Sequence, residues 1–226
     1  MSRKIEVYLE IVEKRALAAA IEWPGWCRLA RDEKAALQAL LDYGARYERA
    51  LRGTSLGFKA PGSLSDFKVV ERLPGSASTL FGAPDHPPRR DSDPVKEADL
   101  RALGELLQAC WREFDAAAKA ATGKALRKGP RGGGRDLEKI REHLFGGDEA
   151  YLRALGSDFK SEGVDDIGKR LKQVRGAILV GLRASAAGEY APVGPRGGKR
   201  WSPRYFVRRV AWHTLDHAWE IQDRVE

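Results

Sequence analysis

No apolar run in the 226-residue chain approaches the ~18 consecutive residues that would suggest a membrane span. The first residues, "MSRKIEVYLEIVEK", lack the long apolar centre and small-residue cleavage site of a secretory signal. A cytoplasmic protein is the expectation. Cysteine is scarce: Cys27 and Cys110 stand far apart without CxxC spacing. That excludes a disulfide framework and a zinc ribbon, and both thiols read as packing residues. Histidine is scarce too, with four in the chain, so their placement is informative.

What the chain does have is charge, 32% of residues, beside 42% hydrophobic ones, the balance of a globular protein of one or two domains. The net charge of +8 permits nucleic-acid binding, but basic and acidic residues alternate nearly everywhere and no nucleic-acid-binding module is recognisable. The densest basic stretch, "GKALRKGPRGGGR" (123–135), reads first as an exposed loop and second as a phosphate-contacting patch.

Residues 1–81 read as a small β-β-α-β module. In "KIEVYLEIV", Ile5, Val7, Leu9 and Ile11 alternate with Glu6, Tyr8 and Glu10, the period of a half-buried strand. A tight turn at Glu13 and Lys14 leads to "RALAAAIEW", a second strand whose alanines would also suit a helix. In "WPGW", Pro24 and Gly25 fit the centre of a turn, and Trp23 and Trp26 read as a cap on the small sheet. Asp32 is a cap for a helix running to Leu51 with Leu37, Leu40, Leu41, Tyr47 and Leu51 on one face. "FKVVERL" (67–73) supplies the last strand. The proline-rich stretch 82–92 reads as a linker, with His86 in solvent.

From 93 to 226 the pattern is helical. Asp93 before Pro94 suggests a cap with proline at the first helical position. Leu100, Leu103, Leu107, Cys110, Phe114 and Ala117 then recur by threes and fours. A second stripe runs through Ile140, Leu144, Gly147, Tyr151 and Leu155, and a third through Ile167, Leu171, Val174, Ile178 and Leu182. Ser202 and Pro203 open a fourth, through Phe206, Val210 and Ile221. The whole chain is therefore expected to be α+β: the small module followed by an all-α four-helix bundle.

His213 and His217 continue the fourth stripe, and His143 lies beside Leu144 on the second. Imidazoles at i and i+4 stand close enough to share one cation. Three inward imidazoles without partners would be costly to bury, and a shared divalent ion with an open position answers that cost. The competing reading is a pair bonded to carboxylates, for which Asp216 and Glu220 are at hand. Glu220 is also placed to orient an imidazole or serve as a base. Arg208 and Arg209 are candidates to receive an anionic substrate, and Asp148 and Glu149 read as solvated surface.

"REHLFGGDEAYLRALG" and "RRVAWHTLDHAWEIQDR" together resemble the second- and fourth-helix motifs of the DinB/YfiT-like superfamily, four-helix bundles holding a metal on three histidines. The resemblance implies that His143, His213 and His217 ligate zinc or nickel. It further implies a thiol-dependent S-transferase or isomerase acting on a small molecule, with a low-molecular-weight thiol such as mycothiol or bacillithiol as co-substrate. "IEWPGWCRLARDEKAALQAL" resembles the HicB-like antitoxin fold, in which a strand, a Pro-Gly turn, a nearby Cys and an acidic helix start recur in that order. The alanine-rich second strand departs from that pattern, and no DNA-binding segment follows. An accessory, substrate-covering or homodimerising role is therefore expected of this module. The competing class is a noncatalytic binding protein related to toxin-antitoxin modules.

Overall fold

The computed structural model describes residues 4–128, 134–161 and 163–226. The chain is mixed α+β and divides into two units, Met1–Asp93 and Pro94–Glu226.

The first unit is built on a four-stranded sheet in the order β3-β2-β1-β4. Strand β1 (Ile5–Val12) pairs antiparallel with β2 (Arg15–Ala20) through a two-residue turn, where Glu13 takes a φ of 53°. The alanine-rich segment is thus a strand, and Ala16 to Ala20 are all buried. A third strand, β3 (Cys27–Ala30), was not expected; it extends the sheet antiparallel to β2. Four residues are too few to show a period in sequence. Between β2 and β3, Pro24 and Gly25 occupy the centre of the expected turn. The Trp26 N–H donates to the Trp23 carbonyl at 3.2 Å, and Gly25 has a φ of 91°.

Trp26 lies in the core rather than capping the sheet, 1% exposed, with its indole N–H on the Leu40 carbonyl at 3.0 Å. The Tyr47 hydroxyl donates to the Pro24 carbonyl at 2.9 Å. The expected single helix over 32–51 is two, α1 (Glu33–Asp42), capped by Asp32, and α2 (Gly44–Ala50). The break serves packing: a Cβ on Gly44 would meet Pro61 at 3.3 Å, Ala60 at 3.4 Å and Trp26 at 3.5 Å.

Strand β4 (Phe67–Pro74) runs parallel to β1 at the sheet edge. Val69 pairs with Val7 and Glu71 with Tyr8, so Val70 is the extra residue of a bulge, a device that protects an edge from further pairing. As a central strand, β1 is buried on both faces at its middle, Tyr8 and Glu10 included, where sequence alternation predicted a half-buried strand.

Glu10 explains why the proline-rich segment is not a free linker. Its carboxylate accepts from the Thr79 hydroxyl at 2.6 Å and from the backbone N–H groups of Asp85 and His86 at 3.1 and 3.0 Å. Residues 82–92 therefore belong to the first unit, and His86 is tied through its backbone. Glu10→Gln turns an amide against at least one of these donors, and should destabilise the chain by about 2 kcal/mol in chemical denaturation.

In the second unit four long helices pack on one another: α3 (Glu97–Ala120), α4 (Leu137–Leu155), α5 (Ile167–Ala186) and α6 (Pro203–Arg224). Asp136, Asp166 and Ser202 cap α4, α5 and α6 through their side chains. Asp93 does not cap α3. That helix starts four residues later, where the Asp99 side chain accepts from the Lys96 N–H at 3.0 Å. Part of the basic loop, 129–133, lies outside the described residues; its start is anchored by an Arg127 N–H bond to the Arg224 carbonyl at 2.8 Å. Among the described residues no helix is long and apolar enough to cross a membrane. Cys27 and Cys110 are both buried and unbridged, as expected of packing residues; burial pushes the Cys110 thiol well above its ordinary pKa.

Candidate metal centre

Helix α6 carries Arg209, His213 and His217 at four-residue intervals, so each side chain neighbours the next along the helix. Helix α4 presents His143, Gly147 and Tyr151 at the same spacing. These two lines supply the three histidines. The His143 and His213 Nε2 atoms are 3.2 Å apart, and the ring centroids of the three imidazoles lie 4.8 to 5.0 Å from one another. One ligand nitrogen from each ring falls within 4.8 Å of the other two. Nitrogen ligands ~2.0–2.1 Å from a tetrahedral ion sit roughly 3.3 Å apart, so small ring movements bring this set to ligating distance. His213 and His217 are buried, and His143 is the least buried of the three. His143 thus stands at the margin of the site, not on the fully buried stripe that its sequence position suggested.

Carboxylate and arginine fix the orientation of His217. Its Nδ1 is 2.7 Å from Glu220 Oε2, and Glu220 in turn holds Arg224. The hydrogen bond from His217 and the Arg224 guanidinium keep the Glu220 carboxyl below its usual pKa despite partial burial. An ionised Glu220 accepts the Nδ1 proton and leaves Nε2 with its lone pair toward the other rings. Of the two histidines on α6 only His217 is bonded to a carboxylate, and that bond stands beside the converged imidazoles, so the alternatives in sequence do not exclude one another. Burial and the neighbouring His217 lower the pKa of both His143 and His213, the latter strongly. Both are therefore neutral near pH 7, the state that ligates.

Close approach of the two helices depends on Gly147. A Cβ there would stand 2.4 Å from Cε1 and 2.8 Å from Nδ1 of His213. Among the described residues His213 Nδ1 is buried without a hydrogen-bond partner, so this ring is held by packing and by the 3.2 Å contact of its Nε2 with His143. Gly147→Ala must turn the ring or part the helices, and is expected to weaken zinc binding at least about tenfold in a chelator-competition titration.

Arg208 and Arg209, the candidates to receive an anionic substrate, are buried, 2% and 9% exposed. One residue apart on a helix, they point about 100° from one another. Only Arg209 lies on the histidine line. Its guanidinium carbon is 5.3 Å from the Tyr151 and Trp201 rings, 5.5 Å from Trp212 and 6.0 Å from Tyr205. Its Nη1 donates to the Tyr205 hydroxyl at 3.2 Å. Tyr151 and Trp212 also border His213, at 5.6 and 5.7 Å between centroids. The aromatic wall around the histidines was missed in sequence, although Tyr151 repeats the His143 spacing at i+8. Asp148, expected at the surface, is fully buried.

No protein-family profile, curated protein or solved structure matches the chain.

Proposed function

We propose that the second unit is a DinB-like four-helix bundle whose His143, His213 and His217 hold one zinc or nickel ion for thiol-dependent S-transfer or isomerisation of a small molecule. The observation that carries this reading is the convergence of three imidazole nitrogens with the His217 tautomer set by Glu220. Three neutral protein ligands leave a coordination position for a substrate atom, and the bound ion lowers the pKa of a coordinated thiol or water. Glu220 is a positioning residue in this account. Held by both His217 and Arg224, it keeps His217 Nε2 directed inward and is not the base. Tyr151 and Trp212 keep bulk water from the His213 side, and Arg209 brings positive charge toward an anionic part of the substrate. Arg208 takes no part.

The test loads purified protein with zinc or nickel and follows consumption of a model electrophile with bacillithiol, mycothiol or glutathione. Turnover that needs both metal and thiol is the expected result. Protein that takes up neither metal overturns the reading. A loaded protein idle with all three thiols overturns the thiol part and leaves the metal centre.

A further inference from the structure

Asp148 is a buried group the candidate metal centre does not use. It stands on the α4 stripe between Leu144 and Leu152, all three fully buried, and among the described residues neither carboxylate oxygen has a hydrogen-bond partner. Two donors on other helices are in the same condition. Arg175 on α5 commits both terminal nitrogens to Asp115, at 2.8 and 2.9 Å, and its Nε–H is buried with no acceptor. Trp111 on α3 buries its indole Nε1–H, also with no acceptor. Arg175 connects the other two: its guanidinium carbon lies 5.7 Å from the centroid of the Trp111 ring, and its charge opposes the rise in the pKa of the buried Asp148 carboxyl.

An acceptor and two donors, one from each of three helices, match in polarity without touching. Buried polar groups left this way are costly, and proteins usually satisfy them with internal water. Water suits this set because a single molecule can both accept and donate, and it spans ~5–6 Å between the groups it bridges. We propose that α3, α4 and α5 are built around an internal hydration site, where buried water links the Asp148 carboxyl to the Nε–H of Arg175 and the Nε1–H of Trp111. The site gives the core a polar link among three helices, separate from the α4–α6 face that carries the histidines. It does not depend on metal binding.

The experiment is a water–protein NOE measurement on the full chain, with the Trp111 indole proton assigned by Trp111→Phe. A cross-peak whose sign marks a water residing longer than molecular tumbling is expected in the native protein and in Asp148→Asn, which keeps an acceptor. It should vanish in Asp148→Leu. A double-mutant cycle supplies a second reading through unfolding equilibria. Groups sharing one water make Trp111→Phe and Asp148→Leu non-additive by about threefold or more in the unfolding constant; if the leucine variant does not fold, Asp148→Ala takes its place. A native protein with no long-lived water at Trp111, or a cycle coupled by less than that, overturns the proposal.

Discussion

His213→Ala should lose the metal entirely, giving no ion above background by elemental analysis after loading and desalting. Only two imidazoles remain in that variant, and one of them, His143, is the least buried of the three. His217→Ala should do the same, since it removes the ring that Glu220 holds at 2.7 Å. Glu220→Gln is expected to be graded. Its carbonyl still accepts the Nδ1 proton, but without the charge that Arg224 anchors, so affinity should drop ~10–100-fold, the usual cost of a lost outer partner. His86→Ala lies in the other unit and should leave the ion in place. Thermal unfolding separates lost ligands from lost folding. Metal at 100 times its dissociation constant stabilises a binder by ~2.7 kcal/mol, so zinc should raise the melting temperature of the native protein and not that of His213→Ala. A His213→Ala protein that keeps a full equivalent of metal would refute the triad.

His213 and His217 were legible in sequence because they continue the Phe206, Val210 and Ile221 stripe of α6 by threes and fours, and His143 because it lies beside Leu144 on the stripe of α4. The orientation of His217 was legible as a possibility, because Glu220 follows at i+3 on the same helix. What sequence could not give were relations between helices. Gly147 reads as a gap in an apolar stripe until His213 is seen pressed against it, with 2.4 Å left for a Cβ. The aromatic wall gathers Tyr151, Trp201, Tyr205 and Trp212 around Arg209 from α4, α6 and the segment before α6, and no local spacing announces that gathering. In the first unit, the turn at Pro24 and Gly25 and the strands β1, β2 and β4 followed from local signals. Strand β3 and the break between α1 and α2 did not, because a four-residue strand and a glycine fitted against Trp26 are set by packing. The segment 82–92 misled for a related reason. Proline excludes helix, but excluding helix does not make a free linker when a buried carboxylate such as Glu10 is there to bind its backbone.

Asp148→Asn is expected to stabilise the protein at pH 8 by on the order of 2–4 kcal/mol, with the gain shrinking toward zero as pH falls to about 4. The carboxyl sits one residue beyond Gly147, where helical geometry turns it into the core stripe with Leu144 and Leu152. Charge on Asp148 read from sequence as a sign of solvent, yet the i+4 neighbours on both sides are apolar and buried. Desolvation pushes its pKa up from the ordinary 3.8 to about 7, and the attraction of Arg175 only partly opposes the rise. The folded protein therefore holds a proton that the unfolded chain has released between those two values. Stability from this group is fully present below the unfolded value, is lost as pH rises through the folded one, and changes no further above it. A shift of this size sets the upper bound of the loss at roughly 4 kcal/mol. Asparagine keeps the shape and an acceptor but cannot ionise, so its stability follows the native curve in acid and stays above it at neutral and alkaline pH. Urea denaturation of both proteins from pH 4 to 8 measures the difference directly, because the other titrating groups are common to both. A gap that is constant with pH would mean that Asp148 keeps its ordinary pKa, and a gap that opens toward acid would reverse the sign argued from its burial.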